Sequence, residues 1–156
     1  MNHRFARHAA VLGLAAIFAV LAAAPVAAAD VTKDDAVALV KKATAAYKSA
    51  GKDKLLAEVN SENGPYHKGE LYVFVYDLAG AIVAHPVNPK LIGKNTYEVP
   101  DVDGKYYRKE IIDNARAGKS GWVDYKYKNP ASGKVEHKLA YYEPVGEIVA
   151  VAGIYK

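Results

Sequence analysis

The sequence contains no cysteine, and its single methionine is the first residue. A chain without cysteine has no disulfide framework, no thiolate metal site and no thioether attachment point for haem, so its stability rests on packing. Acidic residues are missing from residues 1–29, and arginine is scarce: beyond residue 29 only Arg108 and Arg116 remain. Setting aside Arg4 and Arg7 lowers the basic count from 21 to 19 against 17 acidic residues, so the formal charge falls from +4 to +2. The lysines alternate with acids and form no stripe that would neutralise a phosphate backbone, which excludes nucleic acid as a partner. After Asp30 there is no second apolar run of membrane-spanning length, no Pro-rich or Gly/Ser-rich tract and no repeat.

The first 29 residues have a definite order. His3, Arg4, Arg7 and His8 precede an almost unbroken apolar run from Ala9 to Ala24, and Ala27, Ala28 and Ala29 stand just before Asp30. This is the pattern of a secretory signal peptide, with cleavage expected near Ala29 and a periplasmic or secreted product. The alternative is an uncleaved anchor, but the 16-residue run falls short of the roughly 20 residues that cross about 30 Å of hydrocarbon. What remains, residues 30–156, has the length of one domain with one core.

Thr32-Lys33-Asp34-Asp35 reads as an N-cap with an acid three residues on, and the spacing of Ala36, Val40, Ala43, Tyr47 and Ala50 predicts an amphipathic helix closed by Gly51. A shorter helix is expected around Leu55, Leu56 and Val59, ended by Asn63-Gly64-Pro65. From Leu71 the period becomes two. Tyr72, Phe74 and Tyr76 fall on one face of a strand and Leu71, Val73 and Val75 on the other, so both faces are expected to be covered. Ala79-Gly80 turns into a hairpin partner over 81–85, Pro86 and Pro89 stop the pairing, and a long loop runs to Gly104. A helix over 106–117 and strands over 122–128, 134–142 and 147–155 complete an α+β domain with an antiparallel sheet.

Motifs of known chemistry fail on inspection. Gly118-Lys119-Ser120-Gly121 has Asp113 where a phosphate loop needs glycine, and it runs from helix to strand, the reverse of the order that aims N–H groups at phosphate. Asp101-Val102-Asp103-Gly104 begins like a calcium loop, but Tyr106 and Ile112 occupy its glycine and glutamate positions. His67, His85 and His137 have no partner ligands at metal spacing, and no serine lies in a strained elbow. Neither a metal, a cofactor nor enzymatic activity is expected.

Tyrosine is what the chain has in excess: twelve, eleven of them from Tyr66 onward. Tyr47, Tyr97 and Tyr106 read as core filler or surface aromatics. The Tyr72/Phe74/Tyr76 face, with His85, Trp122, Tyr125 and Tyr141, describes apolar walls carrying a few donors, the make-up of a small-molecule pocket. Phe74 and Trp122 are equally compatible with plain packing. Lys138 lies inside an apolar strand and is either the one positive charge that a carboxylate pocket needs or a solvated edge lysine. Alternation puts Lys138 on the face of Ala140 and Tyr142, with Tyr141 on the other unless a bulge intervenes.

Taken in order, Tyr72-Val-Phe-Val-Tyr-Asp77, Gly80, Ala84-His85-Pro86, Leu91-Ile-Gly-Lys-Asn95, Asp103-Gly104-Lys105, Gly121-Trp122-Val123-Asp124-Tyr125, Asn129-Pro130, Lys138-Leu-Ala-Tyr141 and Gly153-Ile-Tyr155 resemble a single Cache domain of bacterial extracytoplasmic sensors, from about Asp35 to the last residue. The resemblance implies a PAS-like antiparallel sheet of five to six strands, a long N-terminal helix on one face, and a pocket on the other face under the loop and helix that follow His85-Pro86. It implies a small organic ligand, a short carboxylate such as acetate, propionate or pyruvate. Tyr72, Phe74, Tyr76, His85, Trp122, Tyr125, Lys138 and Tyr141 match positions at or near that pocket, with Lys138 pairing the carboxylate. Because the chain ends after its last strand, the expectation is a free-standing exported domain, binding a ligand with or without docking on a membrane-bound sensor kinase or chemoreceptor. The alternative is an interaction protein that regulates such a partner through its surface.

Overall fold

A computed structural model describes residues 30–156; the expected signal peptide, 1–29, lies outside the described residues. Helix α1, Lys33–Ala50, starts on the capping box read from the sequence: the Thr32 hydroxyl accepts from the Asp35 N–H at 3.2 Å, and the Asp35 carboxylate accepts from the Thr32 N–H at 2.9 Å. Gly51, at φ +87°, ends it. The buried stripe is Ala36, Val40, Ala43 and Thr44, with Tyr47 half-buried; Ala50, expected on the stripe, is exposed at the last residue of the helix. Helix α2, Lys52–Asn60, buries Leu55 and Val59.

Six strands follow the two helices: β1 His67–Lys68, β2 Leu71–Asp77, β3 Ile82–Ala84, β4 Gly121–Lys128, β5 Val135–Val145 and β6 Ile148–Tyr155. Helix α3, Tyr107–Arg116, lies between β3 and β4. The order across the sheet is β1-β2-β6-β5-β4, with β3 also on β2, and every pairing is antiparallel. The first long strand and the last are thus central neighbours, Phe74 opposite Val151 and Tyr76 opposite Val149. Two features differ from the sequence reading. Two-residue β1 is too short to show a period, and β5 runs on to Val145, where Pro144 is tolerated because β4 has already ended opposite Tyr142.

Both faces of the sheet are covered, and the split follows the alternation in β2. Val73, Val75, Ala150 and Ala152 pack under α1 and α2, while Tyr72, Phe74, Tyr76, Val149 and Val151 face α3 and the loop before it. Each face therefore excludes water from one stripe of every long strand, and the aromatic stripe is the one that α3 roofs. Among the described residues no helix is long and apolar enough to cross a membrane.

Candidate ligand-binding site

The roof is fixed to the sheet by named bonds. The Asp101 carboxylate accepts from the backbone N–H of Asp103, Lys105 and Lys126, each at 2.9 Å, which fastens the loop before α3 to β4. Across the domain, the Thr96 N–H donates to the Gly80 carbonyl at 2.9 Å and the Ile82 N–H to the Lys94 carbonyl at 3.0 Å. Asn114 on α3 donates to the Tyr142 hydroxyl at 2.9 Å. Beneath this roof Tyr72, Phe74, Tyr76, His85, Tyr125 and Lys138 come together, joined by Ile82, Leu91, Tyr107, Arg108 and Tyr127, around a cavity of about 10 Å³, room for one water.

Lys138 is the chemical centre of this chamber. It is 1% exposed. Its Nζ donates to the Tyr72 hydroxyl at 3.0 Å and the Tyr155 hydroxyl at 3.3 Å, and lies 4.3 Å and 4.6 Å from the centroids of those two rings. The side chain crosses β6 over Gly153, where a Cβ would stand 2.9 Å from Lys138 Cε. Glycine is what lets the lysine reach Tyr72. No carboxylate pairs with Lys138 among the described residues. Burial lowers its pKa to about 7, opposed only by the charge of Glu70. The solvated-edge alternative is thereby ruled out.

His85 follows β3 and stacks on Phe74, centroids 5.6 Å apart. Its Nδ1 accepts from the N–H groups of Val87 at 3.3 Å and Asn88 at 3.0 Å, so the neutral ring carries its proton on Nε2. Burial, and then the Lys138 charge, pull its pKa down to about 4, which keeps it a neutral donor. Tyr125 stacks on Tyr107 of the roof at 3.7 Å, and burial raises both hydroxyls far above the ordinary value.

Trp122 and Tyr141 are not brought to this chamber, which corrects the expectation that they line it. They are opposite partners in the β4–β5 ladder, with rings 5.3 Å apart, and pack against the core under α1, where Lys33 lies 5.8 Å from the Trp122 ring. No bulge shifts the β4–β5 register, so strict alternation sends them to the face opposite Tyr125 and Lys138. Tyr127 was legible by that same alternation, two residues past Tyr125. Tyr107 was legible in part, since helical spacing sets it on one stripe with Ile111 and Ala115; Arg108 and Leu91 were not, because no local pattern says that they fold down onto the sheet.

An antiparallel six-stranded sheet with a long N-terminal helix on one face and a roofed polar-aromatic chamber on the other is an α+β fold of the PAS-like kind. The model of the Single Cache domain 2 family matches residues 24–151, and the chain belongs to that family. It is similar to the sensor histidine kinase MctS of Rhizobium johnstonii, 36% identical over 70 residues, which covers 45% of this chain and 15% of that protein. It is also similar to the methyl-accepting chemotaxis protein McpP of Pseudomonas putida, 30% identical over 87 residues, covering 54% of this chain and 16% of that protein. The chain thus matches about a sixth of the length of these relatives. Among solved structures, a methyl-accepting chemotaxis protein from Vibrio parahaemolyticus superposes with a TM-score of 0.68 at 24% identity, over 79% of this chain and 87% of that one. A Cache chemosensory domain solved for its recognition of carboxylic acids superposes with a TM-score of 0.62 at 21% identity, over 78% of this chain and 86% of that one. The protein is therefore a Cache sensor domain, homologous to the extracellular ligand-sensing domains of chemoreceptors and histidine kinases.

Proposed function

We propose that this Cache domain binds a short organic carboxylate under α3, outside the cytoplasm, after removal of residues 1–29 as a signal peptide. The observation that carries the reading is Lys138: a fully buried lysine with hydroxyls for neighbours and no acidic partner. A buried ammonium without a counter-charge is costly, and a carboxylate seated against Nζ would relieve that cost while accepting from Tyr72, Tyr155 and His85. Phe74, Tyr76 and Tyr125 supply apolar walls, and with a cavity of only about 10 Å³ the chamber has to widen as the ligand enters. The carboxylic-acid-recognising neighbour shares the fold and supports the ligand class. The proposed partner is a membrane-bound sensor kinase or chemoreceptor, the two kinds of protein to which the chain is similar.

The test is a thermal-shift series with acetate, propionate, pyruvate and lactate on the protein and on Lys138→Met. Ligand at a hundred times its dissociation constant adds about 2.7 kcal/mol of stability. A shift with at least one short acid, lost in Lys138→Met, is expected. No shift with any, or an undiminished shift in the variant, contradicts the reading.

A further inference from the structure

Four strand ends meet at one end of the sheet: β2 begins there at Leu71 and β5 at Val135, while β4 and β6 finish there at Lys128 and Tyr155. Lys138 lies at this end, opposite Tyr155 in the β5–β6 ladder, just behind the turn over 129–134 that joins β4 to β5. Two surface clefts of about 210 and 380 Å³ open beside that turn. Val87, Asn129 and Pro130 line both and form the ridge between them. Tyr72 is shared by the first cleft and the chamber, and His85 and Tyr127 by the second cleft and the chamber. A single layer of side chains therefore stands between the protein surface and the water-sized cavity.

Asn129 holds this end shut. It is 3% exposed in a turn whose other residues, 130–134, are all exposed. Its Oδ1 accepts from the Ala131 N–H at 2.9 Å, and its Nδ2 donates to Glu136 Oε2 at 2.7 Å and to Glu70 Oε1 at 2.9 Å. The first two bonds lie within the β4–β5 hairpin and move with it, whereas the third crosses to the turn before β2. That receiving side is fixed: the His67 ring nitrogens lie 2.6 Å and 3.0 Å from the carbonyl oxygens of Glu62 and Gly69. Breaking the Asn129–Glu70 bond strands little, because exposed Glu70 passes directly to water. Lifting α3 would instead break the Asp101 bond to Lys126, the Lys105 bond to the Asp124 carbonyl at 2.6 Å and the Tyr107–Tyr125 stack together. The element held by the fewest bonds is the one that opens first.

We propose that the chamber opens at this end of the sheet, with the Asn129–Pro130 corner acting as a flap latched by Glu70 while α3 stays in place. The flap swings with the β4–β5 hairpin, and its release joins the two clefts into one mouth that leads between Tyr72, His85 and Tyr127 to Lys138. Access is a property of the chamber whatever it binds, so this device stands apart from the carboxylate reading.

The experiment needs no ligand. Lys138 is acetylated with a sub-stoichiometric dose of N-hydroxysuccinimidyl acetate and followed by peptide mass spectrometry, with exposed Lys134 as the internal standard. Glu70→Ala and Asn129→Ala are each expected to speed the reaction of Lys138 about tenfold or more, the worth of a charge-assisted hydrogen bond. Asp101→Ala, which loosens the roof, is expected to change it less than about threefold. Dilute urea should barely alter the Lys138 rate, because a flap exposes little surface. In the unaltered protein, the Thr96 and Lys126 N–H groups that fasten the roof should be protected from hydrogen exchange about tenfold or more beyond the protection of Lys138 from acetylation. No acceleration in the latch variants, a larger one in Asp101→Ala, a Lys138 rate that climbs with urea as steeply as unfolding does, or roof amides no better protected than Lys138 overturns the proposal. The comparison within the unaltered protein decides even where the variants do not fold.

Discussion

The burial of Lys138 has a consequence for stability that needs no ligand. Its pKa is lowered to about 7 in the folded protein by burial, against about 10.4 in an unfolded chain. Between these values the unfolded chain holds the proton and the folded protein does not, so stability rises with pH, by a little over 1 kcal/mol per pH unit. From pH 7 to pH 9.5 that is about 3 kcal/mol. Other groups leave this window clear. His85, lowered to about 4, adds a slope of the same sign but below about pH 6.5. Lys52, Lys109 and Lys126 are raised and lose their contribution only above about pH 10.5. The buried tyrosines, also raised, act in the opposite direction above about pH 10. Urea unfolding of wild type and Lys138→Met at half-unit steps is the assay. Wild type is expected to climb through the window and Lys138→Met to stay flat. A flat wild type, or parallel slopes in the two proteins, refutes a buried unpaired Lys138.

Two further perturbations probe the geometry. Gly153→Ala places a Cβ 2.9 Å from Lys138 Cε, Ala140 Cβ and the Leu139 carbonyl; it is expected to cost about 1–3 kcal/mol by overpacking and to weaken carboxylate binding by displacing Nζ from Tyr72, both read by denaturation and calorimetry. Trp122→Ala is expected to lower stability by about 1–3 kcal/mol through lost packing under α1 while changing ligand affinity less than about threefold, and a larger loss of affinity in the folded variant contradicts its placement on the helix side.

Most of the fold was readable because local chemistry and global architecture agree. The Thr32–Asp35 cap, the Ala36/Val40/Ala43 stripe and the switch to period two at Leu71 each name an element without tertiary knowledge. The same alternation separated Lys138 from Tyr141, and the β4–β5 register keeps them apart. Grouping Trp122 and Tyr141 with the chamber followed residue type, and then the family pattern, both of which say which positions carry aromatic rings but not which face each occupies. Arg108 was illegible for another reason. Whether an arginine at a helix start is solvated or buried depends on how the roof packs on the sheet, a contact between segments with no shared local pattern.

The central claim, a carboxylate held by Lys138, is tested most directly by the pH dependence of binding. A carboxylate pairs with protonated Lys138, whose pKa is about 7, so binding draws in a proton above that pH. Calorimetric titration with the best short acid at pH 6.5 and pH 9 should show one saturable site that weakens tenfold or more at the higher pH, with proton uptake visible as a heat that varies with the buffer. Equal affinity at the two pH values, or binding that Lys138→Met leaves intact, would contradict it.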